Sequence, residues 1–284
     1  MTPEKTTPTD SGQRTNVWTI GAATLLVAIM IAGSIAFAIK RTTNGHQPTI
    51  SPPSATSAAP PMPPVSSTGE GFDVPETDLF GRRIDIPRNP DGALRAQTVP
   101  PKHAGDPDWL SAAPAGLREQ GGWQRVHGAV VPFSTSDGPT RIHDGVADGY
   151  AHTPQGAALA AAMSLYQVAA RPGDRAVSAA RLVLSPADQA TLDSGINSGR
   201  LPHQQPASLT RTLIAYDAFR IDTFADDLAV VRLAVRGEQS AQARSWVTAK
   251  IPMVWYQGDW RLRGNGNQLP TETVYDLTGW TQWS

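Results

Sequence analysis

Hydrophobic and polar positions divide this chain into stretches of different kinds. Val17 to Ile39 is an apolar run without a charged residue. Apolar side chains cover every helical face there rather than one stripe, the pattern of a helix surrounded by apolar material. At about 1.5 Å per residue the run is long enough for a hydrocarbon core of about 30 Å, and a lone segment in lipid satisfies its backbone only as a helix. Trp18 at one end and Lys40-Arg41 at the other suit the two interfaces. The run predicts a transmembrane helix over 17–39, which carries the chain's contact with the bilayer, after a short cytoplasmic tail over 1–16. A cleaved signal peptide is the competing reading, since Ala36-Phe37-Ala38 has the form of a cleavage site. Such peptides have shorter apolar cores, of about 7–15 residues.

The next stretch has almost no large apolar residues. His46 to Gly71 carries the pairs Pro52-Pro53, Pro60-Pro61 and Pro63-Pro64, which favour extended, solvated polyproline II. Residues 40–71 are therefore expected to form a disordered Pro/Ser/Thr-rich linker. A ligand for a proline-recognition domain is the alternative. Flanking charge leaves the membrane orientation tied, with Lys5 and Arg14 on one side and Lys40 and Arg41 on the other. The spacer decides it: the amino terminus is placed in the cytoplasm and the carboxyl-terminal domain outside the cell membrane. Residues 72–107 mix prolines with Phe72, Val74, Leu79, Phe80, Ile84 and Ile86. They are expected to form an extended arm, docked on its own domain or a partner, or else disordered.

From Asp108 the pattern becomes that of a folded domain, over 108–284. Thr153 and Pro154 have the form of a helix start, and Arg171-Pro172-Gly173 that of a stop. Between them Leu159, Met163, Tyr166 and Ala170 recur near helical spacing. A second helix is expected over Asp174–Leu184, and a third from Ser185-Pro186, ending near Asn197–Gly199. After Pro206 the period becomes two. Leu213, Ala215, Phe219 and Ile221 share one face of Thr212–Thr223. Ala229, Val231, Leu233 and Val235 do so in Leu228–Arg236, as do Val247, Ala249, Ile251, Met253 and Trp255 in Ser245–Tyr256. A turn at Gln257-Gly258-Asp259 leads into Trp260–Arg263. Helices followed by an antiparallel meander predict an α+β fold, with helices on the apolar face of a curved antiparallel sheet.

Composition narrows the chemistry. The chain has no cysteine, which excludes thiol nucleophiles, iron–sulfur clusters and disulfide scaffolds. The 24 basic and 25 acidic residues balance, and they balance within 108–284 too, so no nucleic-acid partner is expected. The histidines show neither helical i, i+4 spacing nor an HExxH motif, and there is no P-loop, dinucleotide fingerprint or G-x-S-x-G. No metal site, cofactor or catalytic residue is expected from motifs, and Gly145–Gly149 reads as a loop. Seven of the eight tryptophans lie from Asp108 onward. Trp246 falls opposite the apolar face of its strand, and Trp280 and Trp283 lie in the terminal segment. Those three are candidate partner contacts; a tail folding back to close its own domain is the alternative. Arg232, Arg236, Arg261 and Arg263 read as a solvated sheet face or as one turned to an acidic partner.

GYAHTPQGAALAA at Gly149–Ala161 and MVWYQGDWRL at Met253–Leu262 resemble segments of uncharacterised actinobacterial single-pass membrane proteins encoded among conjugation and secretion genes. The element pattern is similar to the cone-shaped nuclear-transport-factor-like, or cystatin-like, fold. The order of tail, span, linker and domain is similar to inner-membrane scaffold subunits of type IV secretion systems, on architecture alone. The resemblance implies a non-enzymatic membrane-anchored assembly or scaffold protein of a conjugative-transfer or secretion apparatus. Its partners would be other membrane or secretion-complex proteins, including further copies of itself. A cell-envelope module binding a ligand in the cone is the alternative. A third reading is an enzyme with Asp217 as general base, because cone folds such as ketosteroid isomerases place an acid in the cavity. Asp217 shares a face with Leu213 and Phe219 on strict alternation; a β-bulge would instead turn it to solvent.

Overall fold

A computed structural model describes residues 70–237, 244–264 and 269–283. The expected span over 17–39, its tail over 1–16 and nearly all of the 40–71 linker lie outside the described residues. Among the described residues no helix is long and apolar enough to cross a membrane.

The arm supplies a short hairpin, β1 (Glu76–Thr77) with β2 (Arg83–Ile84). Two further hairpins follow, β3 (Trp123–Val126) with β4 (Ala129–Pro132) and β5 (Arg141–His143) with β6 (Val146–Asp148). Next come α1 (Pro154–Ala170), α2 (Arg175–Arg181), the strand β7 (Leu182–Val183), α3 (Pro186–Asn197) and the single turn α4 (Ala207–Thr210). Strands β8 (Ala218–Phe224), β9 (Leu228–Arg236), β10 (Trp246–Tyr256), β11 (Asp259–Arg263), β12 (Thr271–Val274) and β13 (Thr281–Gln282) complete the unit. The main sheet runs β13-β8-β9-β10-β11-β7, and β12 also pairs with β10. It is antiparallel except where β7 lies parallel to β11. The architecture is thus mixed α+β, with few helices on a curved antiparallel sheet. A register shift between Ile221 and Thr223 adds to the curvature.

Register explains the core. Val247 pairs with Val235, Ala249 with Leu233, Ile251 with Val231 and Met253 with Ala229, so these residues line one face together. Helix α1 packs between that face and β4. Thr153 caps it by accepting from the Gly156 N–H at 2.9 Å, and Pro154 fills its first turn. Ala157 through Met163 are fully buried. A helix apolar on every side belongs between two layers, and alanine lets both approach. Gly156 is required: a β-carbon there would lie 2.0 Å from the Ala151 carbonyl oxygen.

The structure departs from expectation in several places. The second helix stops at Arg181, not Leu184, because Leu182 and Val183 pair with Leu262 and Arg263. A tertiary partner overrides local preference there. The expected strand from Thr212 begins only at Ala218. The backbone before it is engaged elsewhere: Leu213 O accepts from Val130 N, and Ile214 O from the Tyr166 hydroxyl at 2.6 Å. Gly145–Gly149 is not simply a loop, since Val146–Asp148 forms β6. The arm over 72–107, for which docking on its own domain is one of the expected outcomes, packs into that domain. Ile84 and Asp85 are fully buried, and the Asp85 backbone bonds to both Trp123 and Arg125.

The sheet's outer face is not uniformly polar. At one end Ala218, Ala234 and Trp246 form a second apolar cluster beneath Val274, Leu277 and Trp280. Beyond it, register aligns Arg220, Arg232 and Lys250 across three strands. Asp222 pairs with all three, and Glu272 with Arg232. The arginines of this face are therefore tied into a cross-strand ladder.

Candidate functional site

The arm's hairpin tip is set by Asp78, whose Oδ1 accepts from the Phe80 N–H at 2.9 Å and the Arg82 N–H at 2.8 Å. This holds Arg82 against the main sheet. Its Nη2 donates to Asp217 Oδ1 at 2.7 Å, its Nη1 donates to Tyr216 O at 3.2 Å, and its guanidinium lies 4.9 Å from the Trp123 ring centre. Asp217 Oδ2 accepts from Arg236 Nε at 2.7 Å and Trp246 Nε1 at 2.8 Å. Arg236 in turn stacks 4.4 Å over Phe80. Burial lowers the Arg82 pKa, with Asp217 and then Asp78 opposing that shift. One carboxylate thus joins the arm to β9 and β10 through two guanidiniums and an indole.

An open cleft of about 310 Å³ lies against this junction. Phe80, Gly81, Arg82 and Arg83 of the arm form one wall; Leu117, Arg118 and Glu119 form another. Trp123 and Arg236 complete it. The acids bound to Arg82, Arg83 and Arg236 sit behind them: Asp217 is 4 % and Asp85 1 % exposed, and neither lines the cleft.

The predicted residues now have places. Asp217 is neither turned to solvent nor lining a cavity. Both oxygens are occupied, so proton transfer would first require the loss of an arginine or the indole. Trp246 is spent on Asp217 and the second apolar cluster. Trp283 is 1 % exposed, packs edge-on to Trp123 and donates from Nε1 to Tyr216 O at 3.0 Å. Both side chains pack within the unit itself, Trp246 at 9 % and Trp283 at 1 % exposure, as in the reading of a tail that folds back on its own domain. Trp280 remains half-buried, with Arg220 over its ring. Arg82 carries no motif in the sequence, and Arg236 reads there only as part of a solvated or partner-facing sheet face. Their roles depend on a contact spanning 135 positions, though the adjacent basic residues Arg82-Arg83 before a buried alternating stretch were a usable signal.

Other polar centres are internal. Asp259 accepts from the backbone N–H of Gly149, Tyr150 and Trp260 and from the fully buried Arg181. His127, in the β3–β4 turn, bonds to Asp91 at 2.8 Å beside Arg171; burial and Arg171 lower its pKa, against the pull of Asp91. Asp137 is buried and accepts from the Ser136 and Thr153 hydroxyls; desolvation raises its pKa against those bonds. Among the described residues no group of three or more His, Asp or Glu could hold a metal.

Residues 85–282 match a family described as a domain of unknown function (DUF8175). No curated protein and no solved structure matches the chain. The matched segment contains Asp217, Arg236 and the 117–123 side of the cleft; Phe80–Arg83 precede it.

Proposed function

The chain belongs to the DUF8175 family, a domain of unknown function, and we propose that it is a non-enzymatic, membrane-anchored assembly or scaffold protein of a conjugative-transfer or secretion apparatus. The carrying observation is the Arg82–Asp217–Arg236 junction, which fixes the arm to the sheet just beyond the end of the linker. With the arm docked there, the tether joins the folded unit directly rather than through a further loose segment. On this proposal the apolar run over 17–39 holds the chain in the cell membrane, with the amino terminus cytoplasmic and the folded unit outside. The linker sets its reach and raises its effective concentration near partners. We also read the sheet and its helices as the cone-shaped, cystatin-like type. Crosslinking in native membranes tests the role. Recovery with secretion or transfer components, or with further copies of the chain, is expected; recovery of the monomer alone contradicts it.

A second reading, an envelope ligand-binding module, is favoured by the arm's cleft. The cone interior is a poor pocket, because α1, Trp260 and Met253 fill the sheet's inner face.

A further inference from the structure

The cleft at the arm junction combines three features that point to one class of ligand. Four arginines line it, contributed by three separate segments: Arg82 and Arg83 by the arm, Arg118 by the loop before β3, and Arg236 by the end of β9. Two of these guanidiniums are held in place before any ligand arrives. Arg82 is fixed by Asp217, Tyr216 O and the Trp123 face, and Arg236 by Asp217 and the Phe80 face. A pre-set planar fork loses little freedom on binding an oxyanion, and charge-assisted bonds of this kind are the strong ones.

The acids that pair with Arg82, Arg83 and Arg236 stand back from the cleft itself. Asp217 is a single carboxylate shared by two guanidiniums, and Asp85 is tied to Arg83 and the Gly121 N–H; both sit behind the lining. Asp78 lies on the arm's own side of Arg82. Among the described residues Glu119 is the one acid in the lining, and it pairs with Arg95. The burial that lowers the Arg82 pKa also means that a second anion nearby would be stabilising.

Size and apolar surface supply the third feature. About 310 Å³ is too much for a bare phosphate or carboxylate and falls at the small end of organic-ligand sites. Phe80, Leu117 and Trp123 give the cleft apolar wall between the charged groups.

We propose that this cleft binds a small organic oxyanion, a carboxylate or phosphate monoester on a compact apolar body. The inference goes beyond the assembly role and does not depend on it. The test is calorimetric titration of the full-length chain in detergent micelles, with tryptophan fluorescence as a second readout. The probes are phenyl phosphate, benzoate, inorganic phosphate and the neutral benzyl alcohol. Saturable one-to-one binding of phenyl phosphate or benzoate is expected, with weaker inorganic phosphate and no benzyl alcohol. The tighter of the two organic anions identifies the head group. R118A should weaken binding about tenfold, by loss of a charge-assisted bond. E119Q should tighten it about threefold, by removing the opposing acid. E119Q takes away no cation, so it keeps the test open if R118A does not fold. The proposal is overturned if neither organic anion saturates, if benzyl alcohol binds equally well, or if inorganic phosphate matches phenyl phosphate. It is also overturned if the substitutions that fold leave affinity unchanged.

Discussion

Arg82 reaches Asp217 at 2.7 Å across 135 positions of sequence, with side chains only 10 % and 5 % exposed. Removing the acid would leave Arg82 and Arg236 without their shared counter-charge. A broken buried pair costs about 3–5 kcal/mol, and Arg236, being 25 % exposed, recovers some solvation. Asp217→Ala should therefore destabilise the chain by about 3 kcal/mol in urea unfolding. A double-mutant cycle with Arg82→Ala should show strong coupling; additive losses would mean that the two residues act independently.

Helix propensity and packing make opposite predictions at Gly156. Alanine is the better helix former by about 1 kcal/mol. Yet a β-carbon would meet the Ala151 carbonyl oxygen at 2.0 Å and its carbonyl carbon at 2.9 Å. Both are backbone atoms at the capped start of α1, which cannot move without disturbing the cap. Packing should win, so Gly156→Ala should lower thermal stability, by about 1–3 kcal/mol. An unchanged or raised melting temperature would show that the α1 start is looser than described.

Trp283 and Trp280 separate core from surface. Trp283→Ala should cost about 3–5 kcal/mol, because it empties space against Trp123 and Phe219 and leaves Tyr216 O with one donor fewer. Trp280→Ala should cost less, since the ring is half-buried and its neighbours are the smaller cluster on the sheet's outer face. Chemical unfolding of both variants measures the order, and equal losses would contradict it.

Asp137 gives a pH dependence of definite sign. Its folded pKa lies above the reference 3.8, because burial outweighs the bonds from Ser136 and Thr153. The folded state therefore favours the protonated acid. That contribution is fully present below the unfolded pKa and is lost as pH rises through the folded value. Asp137→Asn, which stays neutral, should gain stability relative to the native chain as pH rises from acid to neutral. Unfolding free energies for both chains across that range give the difference directly; a gap that is flat with pH would contradict the desolvation argument.

What was legible in the sequence was local. Thr153-Pro154 and Arg171-Pro172-Gly173 bound α1 because capping and chain stops act over a few residues. The alternation through β9 and β10 and the Gln257-Gly258 turn likewise carry their own signal, both turn residues having positive φ. Asp144-Gly145 and His127-Gly128 are two-residue hairpin turns of the same kind, and Asp-Gly in particular is a known hairpin signal. Their signal is weak because β3–β6 are short and lack clear alternation. β7 was beyond reach: two residues become a strand only because β11 lies beside them. The junction at Asp217 was illegible for the same reason. Nothing near Asp217 in sequence announces Arg82, and alternation could not show that a buried acid would be tied down on both oxygens.

The proposed placement of the folded unit outside the cell membrane on a tether is tested most directly by protease added to intact spheroplasts. The predicted result is loss of the carboxyl-terminal domain, with cleavage in the linker and a small membrane-embedded amino-terminal fragment left behind. A domain that stays intact until the membrane is permeabilised, and is digested only then, would contradict the account.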